Sequence, residues 1–276
     1  MRLIYATDIH GNRRSFEALF RQAAALPVDA VVLGGDLLPA PRSLQTYSFD
    51  QHAFITKVMR PLIKDFQRRN KMTVLLMLGN DDSSVCAHDL LEMENDGLLK
   101  YIHRRPQPLG DYVIYGYSFV PLTPFGIKDW EKFDTRDQIP PPTGHPPFVT
   151  RDKGVTLVDI ERDIRPRGTI EDDFSAMASE TDPAKTIYVT HTPPYRTALD
   201  IIYNGSQVGS KSLRAFIEKH QPPFTLHGHI HESPLRSGKI FDHIGDTISV
   251  NPGDSLDDLK AVCLDTTNIT GGIRRL

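Results

Sequence analysis

Two side chains that can bind a metal ion lie two residues apart near the start of the sequence. Asp8 and His10 follow a short apolar segment, Arg2 to Ala6, and precede Gly11. Residues two apart on an extended chain project to the same side, so a carboxylate oxygen and an imidazole nitrogen would be presented together. That combination suits a divalent cation. Polar turns of similar composition also end strands that bind nothing, so this stretch alone leaves both interpretations open.

Polar side chains of the same kind follow four further apolar segments. Each segment is a predicted buried strand, and the residues after it are Asp36 (after 30–33), Asn80 (after 73–78), His191 (after 186–190), and His229 with His231 (after 224–226). The carboxyl ends of neighbouring strands meet at one edge of an α/β sheet, so we expect these side chains to converge. Carboxylates, an amide and several imidazoles suit manganese, iron or zinc. The lack of thiolates and the number of imidazoles argue against a structural zinc or a calcium site.

Helical segments separate these strands. Residues 15–23 show the spacing of an amphipathic helix, with Ser15 as the expected N-cap. The first strand, this helix and the second strand form the unit of a right-handed parallel crossover. A second helical period runs over residues 50–69 and is expected to bend at Pro61. Further helices are predicted over residues 84–95, 169–177 and 211–220.

The rest of the chain contains strands that do not fit a purely parallel sheet. Residues 112–120 alternate aromatic and aliphatic side chains, and residues 155–160, 248–250 and 261–264 are also predicted strands. Alternation of this kind favours sheets that are partly antiparallel. We therefore predict a protein of the α/β class, with sheets and helices arranged in layers.

Residues 121–154 differ in composition from the rest of the chain. They are rich in proline and aromatic residues, which predicts irregular structure, and no other segment suggests a linker or an internal repeat. The whole chain, residues 1–276, is therefore predicted to be one domain with an insertion at 121–154. The insertion is either a mobile surface segment or a rim over the site, where His145 and the aromatic residues would select the substrate.

Charge and composition limit the partners and the compartment. The net charge is -3 and the pI is about 6.4, so no basic field favours nucleic acid or an anionic membrane. Cys86 and Cys263 are too few for a disulfide framework, which indicates a reducing compartment. The sequence shows neither a signal peptide nor a long apolar span. We expect a cytoplasmic protein, and the oligomeric state is not predictable.

Taken together, the ordered polar residues resemble the motifs of the calcineurin-like metallophosphoesterase superfamily. The matching blocks are Asp8-Ile9-His10, Gly35-Asp36, Gly79-Asn80, His191 and Gly228-His229-Ile230-His231, and Asn251-Pro252-Gly253 is similar to the family's closing turn. The resemblance covers residues 5 to about 253. It implies a layered metallophosphoesterase-type fold, in which two packed mixed β-sheets are flanked by helices.

The resemblance also implies a dinuclear metal centre. Asp8, His10 and His231 would hold the first ion, Asp36 would bridge both ions, and Asn80, His191 and His229 would hold the second. The ions would be manganese, with iron or zinc as alternatives. The implied reaction is hydrolysis of a phosphomonoester or phosphodiester by metal-bound hydroxide. The residues carried over as catalytic are Asp36, Asn80, Asp81 and His191.

One position departs from the family pattern. Many members have a histidine directly after the Gly-Asn pair, whereas this chain has Asp81. The substitution puts general-acid assistance in doubt and favours the first of two rival hypotheses. One is a non-catalytic metal-binding scaffold for protein interactions, and the other is a nuclease. The acidic balance argues against the nuclease.

The remaining polar residues near the motifs receive separate predictions. The expected partner is a small phosphate ester, and its predicted contacts are Asn12, Asn80, Thr192, Tyr195 and His145. His227 is predicted to be a buried histidine bonded to the backbone. Asp82 is predicted to orient a ligand histidine or to cap a turn.

Overall fold

A computed structural model describes residues 1–268 and 272–276 of the chain. Over this part of the chain, sixteen strands form: β1 (Arg2–Ala6), β2 (Ala30–Gly34), β3 (Thr73–Met77), β4 (Lys100–Tyr101), β5 (Gln107–Leu109), β6 (Tyr112–Tyr117), β7 (Val120–Pro121), β8 (Glu131–Lys132), β9 (Phe148–Thr150), β10 (Val155–Leu157), β11 (Thr186–Thr190), β12 (Phe224–Leu226), β13 (Phe241–Ile244), β14 (Thr247–Val250), β15 (Ala261–Asp265) and β16 (Ile273–Arg275). The α-helices of the same residues are α1 (Arg13–Ala25), α2 (Tyr47–Phe54), α3 (Arg60–Asn70), α4 (Ala87–Asn95), α5 (Ile170–Glu180), α6 (Lys211–His220) and α7 (Ser233–Ser237). Within the described residues, none of these helices combines the length and the hydropathy needed to cross a bilayer.

The first large sheet has the strand order β16-β15-β1-β2-β3-β4. Strands β1 to β4 are parallel, and β15 runs antiparallel to β1. The parallel pairs are joined by helical crossovers, because a parallel strand cannot be reached through a tight turn. The predicted crossover of β1, α1 and β2 is therefore confirmed.

The second large sheet has the order β13-β14-β12-β11-β6-β5. Its four central strands are parallel, and the two edge strands β5 and β13 are antiparallel to their neighbours. Both sheets are thus mixed, as predicted for this α/β fold. Division into domains is not tested by this topology and stays a prediction.

Alternate residues of the strands face different layers. Leu3 and Tyr5 of β1 belong to a core that also contains residues of β11, β12 and β14, so this core lies between the two sheets. Ile4 and Ala6 belong to a second core, formed with α1, α3 and α4. A third core packs α5 and α6 against the other face of the second sheet. Burying a large aliphatic side chain contributes about 1.5–3 kcal/mol, so these cores bind the layers together.

Two details of the first half differ from the sequence prediction. Ser15 is not the N-cap of α1, because the helix begins earlier and Asn12 Oδ1 accepts from the backbone N–H groups of Arg14 and Ser15, at 3.0 and 3.3 Å. The helical segment 47–70 is not a continuous α-helix, because a π-helical turn at Ile55–Met59 lies just before Pro61, and the bend at Pro61 stays a prediction. Proline has no N–H to donate, so the hydrogen-bond pattern widens in the turn that precedes it.

The insertion is more regular than its composition predicts. It contains the short pair β7–β8, and β9 pairs with β10, which is shorter than predicted because a π-helical turn begins at Ile160. The insertion is fastened to the loop after β3 by three contacts: Trp130 Nε1 donates to the Asp82 carbonyl (2.9 Å), Ser84 N–H donates to Asp129 Oδ2 (2.7 Å), and the Ser83 and Thr150 hydroxyls are bonded (2.7 Å). Proline has no N–H to donate to a neighbouring strand, but it is tolerated in short edge pairs such as these.

A fully buried ion pair stabilises the insertion from inside. Lys128 and Glu131 are both 0% exposed, and Lys128 Nζ lies 2.7 Å from Glu131 Oε2. The same ammonium donates to the carbonyls of Thr123 (3.0 Å) and Phe125 (2.5 Å), so all three of its N–H groups have acceptors. A buried charge is tolerated only when it is paired and hydrogen-bonded in this way.

We expect Lys128→Met to lower the free energy of unfolding by about 3–5 kcal/mol, because Glu131 would then be buried without its partner. The double variant Lys128→Met/Glu131→Gln should recover part of the loss. Urea unfolding followed by circular dichroism measures both, with the exposed Lys219→Met as control. A Lys128→Met protein as stable as the control would contradict this assignment.

Candidate metal centre

The polar residues after five strands meet at the carboxyl edge of the two sheets. The backbone fixes their approach: Asp8 N–H donates to the Gly35 carbonyl (3.0 Å) and His10 N–H donates to the Asp36 carbonyl (2.9 Å). The second sheet is tied to the first because His229 N–H donates to Asp8 Oδ1 at 3.1 Å. Each loop thus holds its neighbour, and the side chains converge as predicted for strand ends of an α/β fold.

The first group of donor atoms comes from Asp8, His10, Asp36 and His231, and these atoms lie within 4.8 Å of one another. His231 Nε2 lies 3.1 Å from His10 Nε2 and 3.2 Å from Asp8 Oδ1. Two imidazole nitrogens and a carboxylate oxygen are therefore directed at one point. Such a set can hold a divalent first-row cation.

The second group consists of Asp36, His191 and His229, whose donor atoms also lie within 4.8 Å of one another. The ring of His191 is fixed because its Nδ1 is bonded to the Gly34 carbonyl at 2.9 Å. Its Nε2 is directed into the site, 3.1 Å from Asp36 Oδ2. A backbone carbonyl that holds one nitrogen and directs the other is the usual support of a histidine ligand.

Two buried atoms at this edge have no hydrogen-bond partner among residues 1–268 and 272–276. They are Asn80 Oδ1 and His191 Nε2, and the second of these has only the ion-pair contact with Asp36 Oδ2 at 3.1 Å. A buried polar atom without a partner costs about 1–3 kcal/mol, so such atoms are rare unless a ligand satisfies them. Both are of the type that binds manganese, iron or zinc. The residues present therefore fit divalent metal ions.

Backbone strain is concentrated at the same residues. Asp8, His10, Asp36 and His229 have φ values of 52°, 46°, 50° and 66°. A residue other than glycine in the left-handed region is held there at a cost of about 1–3 kcal/mol. Four strained residues at one edge indicate that the surrounding structure holds the donors in place at the expense of stability.

Two glycines permit the loops to approach each other. A Cβ atom on Gly79 would lie 2.3 Å from Asp36 Oδ1 and 2.7 Å from His191 Nε2. A Cβ atom on Gly228 would lie 2.2 Å from Asp8 Oδ2. Any larger residue at either position would displace a donor, which explains why glycine precedes both Asn80 and His229.

The charges of the cluster shift its pKa values. Burial alone would lower the pKa of His191, but the carboxylates of Asp36 and Asp8 raise it to about 10. Burial also opposes the charge on His231, yet Asp8 raises its pKa to about 9. Burial lowers the pKa of His229 to about 3. Burial disfavours the Asp36 carboxylate, but His191 keeps the pKa of Asp36 below its ordinary value.

Asp81 lies beside this cluster and orients its neighbour. Its backbone N–H donates to Asp36 Oδ1 (2.8 Å), and its Oδ1 accepts from Asn80 Nδ2 (2.8 Å). Because Asp81 binds the amide nitrogen of Asn80, the amide oxygen Oδ1 is left to face the other candidate metal ligands. Burial first, and the Asp36 carboxylate second, raise the pKa of Asp81 to about 7. A proton on Asp81 lessens the repulsion of a phosphate group.

Asp82 and His227 are structural residues. Asp82 is fully buried and accepts the backbone N–H groups of Leu37, Leu38 and Gly79 at 2.8–3.1 Å, so the prediction of a turn cap is confirmed. What the sequence did not indicate is that Asp82 joins the loops after β2 and β3. His227 is 0% exposed and bonded to Thr190 Oγ1 (2.9 Å) and to backbone carbonyls, as predicted.

The predicted substrate contacts differ in their exposure. Thr192 is 0% exposed and its hydroxyl donates to the Pro193 carbonyl (3.4 Å), and substrate contact by Thr192 stays a prediction. Asn12 caps α1 and its Nδ2 donates to the Leu256 carbonyl (2.6 Å). Tyr195 is half-buried and His145 is exposed on the insertion. Substrate contact by Asn12, Tyr195 and His145 stays a prediction.

Comparison with known proteins gives a family and a fold. The sequence model of a protein family described as calcineurin-like phosphoesterase matches residues 1–233. The fold is similar to that of protein TT1561 of Thermus thermophilus, with a TM-score of 0.61 and 17% identity over 100% of this chain and 97% of that one. It is also similar to a dimetal phosphatase from Danio rerio, with a TM-score of 0.57 and 10% identity over 95% and 91% of the chains. A further crystal structure has a TM-score of 0.67 and 15% identity over 100% and 98%. The sequence matches no curated protein.

We expect binding of Mn²⁺ to chelator-stripped protein at pH 7 to release about two protons, because metal ligands must be unprotonated. The protons come from His191 and His231, whose pKa values of about 10 and 9 keep them charged at that pH. Titration calorimetry in buffers of different ionisation enthalpy counts the protons.

The release should decline as the pH rises through 9 to 10, since both imidazoles are then neutral before the metal arrives. Replacement of an exposed histidine, His243→Gln, should leave the count unchanged. A binding enthalpy that is the same in every buffer at pH 7 would show that these histidines are not ligands.

Proposed function

Because the chain belongs to the calcineurin-like phosphoesterase family, we propose that it hydrolyses a phosphomonoester or phosphodiester of a small molecule with two divalent metal ions. The observation that carries the proposal is the pair of donor clusters that share Asp36. A carboxylate common to two clusters is suited to bridge two cations. Asn80 Oδ1, which has no hydrogen-bond partner among the described residues, supplies a further donor at the same place.

The ligand assignment follows the two clusters. Asp8, His10 and His231 would hold one ion, His191 and His229 would hold the other, and Asp36 would serve both. Asn80, whose Oδ1 has no hydrogen-bond partner among the described residues, would add a donor to the second ion. When bound, the two ions supply Lewis-acid activation of a water molecule and stabilise negative charge on the phosphate oxygens. Manganese is the first choice, and the same donors accept iron or zinc.

The residues of the chain set the charge and the geometry. Two carboxylates, Asp8 and Asp36, do not neutralise two divalent cations, so the centre stays positive and attracts an anionic phosphate. Asp36 keeps its position because Asp81 N–H holds one of its oxygens at 2.8 Å. His191 keeps its position through the Gly34 carbonyl. This preorganisation lets the donors meet a ligand without rearrangement.

Asp81 acts in this proposal as a positioning residue. It occupies the place of the histidine that many relatives carry, and its carboxylate orients the amide of Asn80. The leaving group is then protonated by water or by a residue of the insertion such as His145. A substrate with a good leaving group needs no protein acid at this step.

The two rival functions have weaker support. A scaffold for protein interactions has no need of four strained residues and two unpartnered buried atoms at one edge, since both reduce stability. A nuclease would need a basic surface that tracks the phosphate backbone, which the net charge of -3 does not favour.

We expect chelator-stripped protein to be inactive, and reconstitution with Mn²⁺ to restore hydrolysis of p-nitrophenyl phosphate or bis-p-nitrophenyl phosphate, because the ions activate the water. Metal content, measured alongside by emission spectrometry, should approach two ions per chain when activity is maximal. Full metal loading without turnover of either ester would favour the scaffold.

We expect Asp36→Asn to lower kcat/KM by at least about 100-fold, because the variant removes the charge shared by both clusters. Asp81→Asn should cost about tenfold or less, since its amide oxygen can still accept from Asn80 Nδ2. Steady-state kinetics at matched metal loading gives both values. An Asp36→Asn protein as active as the wild type would exclude the dinuclear mechanism.

A further inference from the structure

A second concave site lies between the insertion and the body of the protein. It is a cavity of about 360 Å³, open to solvent, and its lining includes Arg104, Phe119, Trp130, Lys132, Arg151 and Arg167. None of these residues belongs to the metal centre. We propose that this basic cavity binds the phosphate group of a small organic phosphate.

The charges of the basic cavity are not balanced by its surroundings. The lining contains four cations and one carboxylate, Asp129. The oxygens of Asp129 accept from the backbone N–H groups of Thr150 and Ser84, both at 2.7 Å, so this carboxylate forms no ion pair within 4.0 Å with a cation of the described residues, although its charge acts on Arg167. A second carboxylate, Asp173, pairs with Lys132 and lies 3.5 Å from Arg104. Two positive charges remain, which matches the charge of a phosphate dianion.

Arg151 and Arg167 are the cations that lack a partner. Neither forms an ion pair within 4.0 Å with a carboxylate of residues 1–268 or 272–276, and Arg151 donates to the carbonyl of Thr150 (2.9 Å). Burial lowers the pKa of Arg167, the Asp129 carboxylate opposes this shift, and the nearby charge of Arg151 lowers the pKa further. An arginine stays charged in proteins, so two guanidinium groups close together favour an anion between them.

The backbone of these basic residues is held in place, and the side chain of Arg167 is fixed as well. Arg167 Nη1 donates to the carbonyl of Lys128 at 2.7 Å. The backbone of Arg104 has a φ of 50°, a strained value, and its N–H donates to the Gly116 carbonyl at 2.8 Å. The Arg151 carbonyl accepts from Ser48 Oγ at 2.8 Å. A fixed guanidinium such as that of Arg167 binds an anion with little loss of side-chain entropy.

The size of the cavity indicates more than a bare ion. A volume of about 360 Å³ is within the range of small-molecule sites and exceeds that of inorganic phosphate several-fold. The aromatic residues Phe119 and Trp130 form part of the lining and offer apolar surface to an organic group. The ligand class is therefore a phosphate with a small apolar or aromatic portion.

The test uses Trp130, which is the one tryptophan of the 276-residue sequence, so intrinsic tryptophan fluorescence reports on this cavity. The manganese-loaded enzyme is titrated with inorganic phosphate, with sodium chloride at equal ionic strength as reference. We expect a saturable change with phosphate only. Arg104→Gln and Arg151→Gln should each weaken binding about tenfold, because each removes charge-assisted hydrogen bonds.

Two matched variants separate this site from the metal centre. Arg68→Gln removes an exposed arginine of α3 and should leave the titration unchanged. Asp36→Asn, which damages the metal centre, should also keep the phosphate response. A response that Asp36→Asn abolishes and the cavity variants retain would assign the signal to the metal centre and overturn the proposal. No saturable change up to about 10 mM phosphate would overturn it as well, since that corresponds to only about 2.7 kcal/mol of binding.

Circular dichroism of Arg104→Gln and Arg151→Gln checks that both variants fold. Both side chains reach solvent, so their replacement is tolerated in folding. The outcome does not depend on hydrolysis, because binding is read without turnover. Failure of the phosphate titration and failure of the esterase assay are therefore separate results.

Discussion

The structure depends on the crowding of charged and polar donors around Asp36. This carboxylate is buried, lies 3.1 Å from His191 Nε2 and accepts from Asp81 N–H. Transfer of a carboxylate from water to the protein interior costs free energy unless opposite charge and hydrogen bonds surround it. The carboxyl edges of two sheets provide that environment, because each contributes loops whose N–H groups point inward. The layered fold is the support that lets donors distant in sequence face one another.

Much of the fold and the donor set could be predicted from the sequence because both follow from simple periodicities. Buried strands such as 30–34 and 186–190 are nearly continuous apolar runs, and a polar residue after each marks the sheet edge. The α/β class, the mixed sheets and the placement of the metal-type residues at one edge followed from this pattern. Short edge strands such as β5 and β13 did not, since they carry too few residues for a period to appear.

Other features could not be predicted because they depend on tertiary contacts. Ser15 and Asn12 are both good capping residues, and only the position of the Leu256 carbonyl, which binds Asn12, decides between them. Lys128 and Glu131 have the spacing of a surface pair, yet they are buried under the insertion. Thr192 lies next to His191 in the loop after β11, where its side chain is buried and its hydroxyl donates to the Pro193 carbonyl. In each case the sequence permits two placements with similar local energy.

The loop that carries Asn80 and Asp81 is fastened on both sides. Tyr47 and Gln51 of α2 donate to the Asp81 carbonyl at 3.0 and 2.9 Å, and Trp130 of the insertion donates to the Asp82 carbonyl. The insertion thus contributes to the geometry of the metal centre without supplying any of its proposed ligands. Trp130, which makes this contact, also lines the proposed phosphate cavity.

The donors of the centre are spread from Asp8 to His231, and β1 at the start of the chain pairs with β15 near its end. Contacts so distant in sequence form slowly during folding. The entropy of closing the long loop is lost before the contact contributes any stabilisation. During synthesis, a nascent chain cannot complete the centre until the ribosome has released residue 231. Any cation held earlier would be bound by a partial set of donors. The full set of candidate donors therefore assembles only when the elements that carry Asp8 and His231 have packed together.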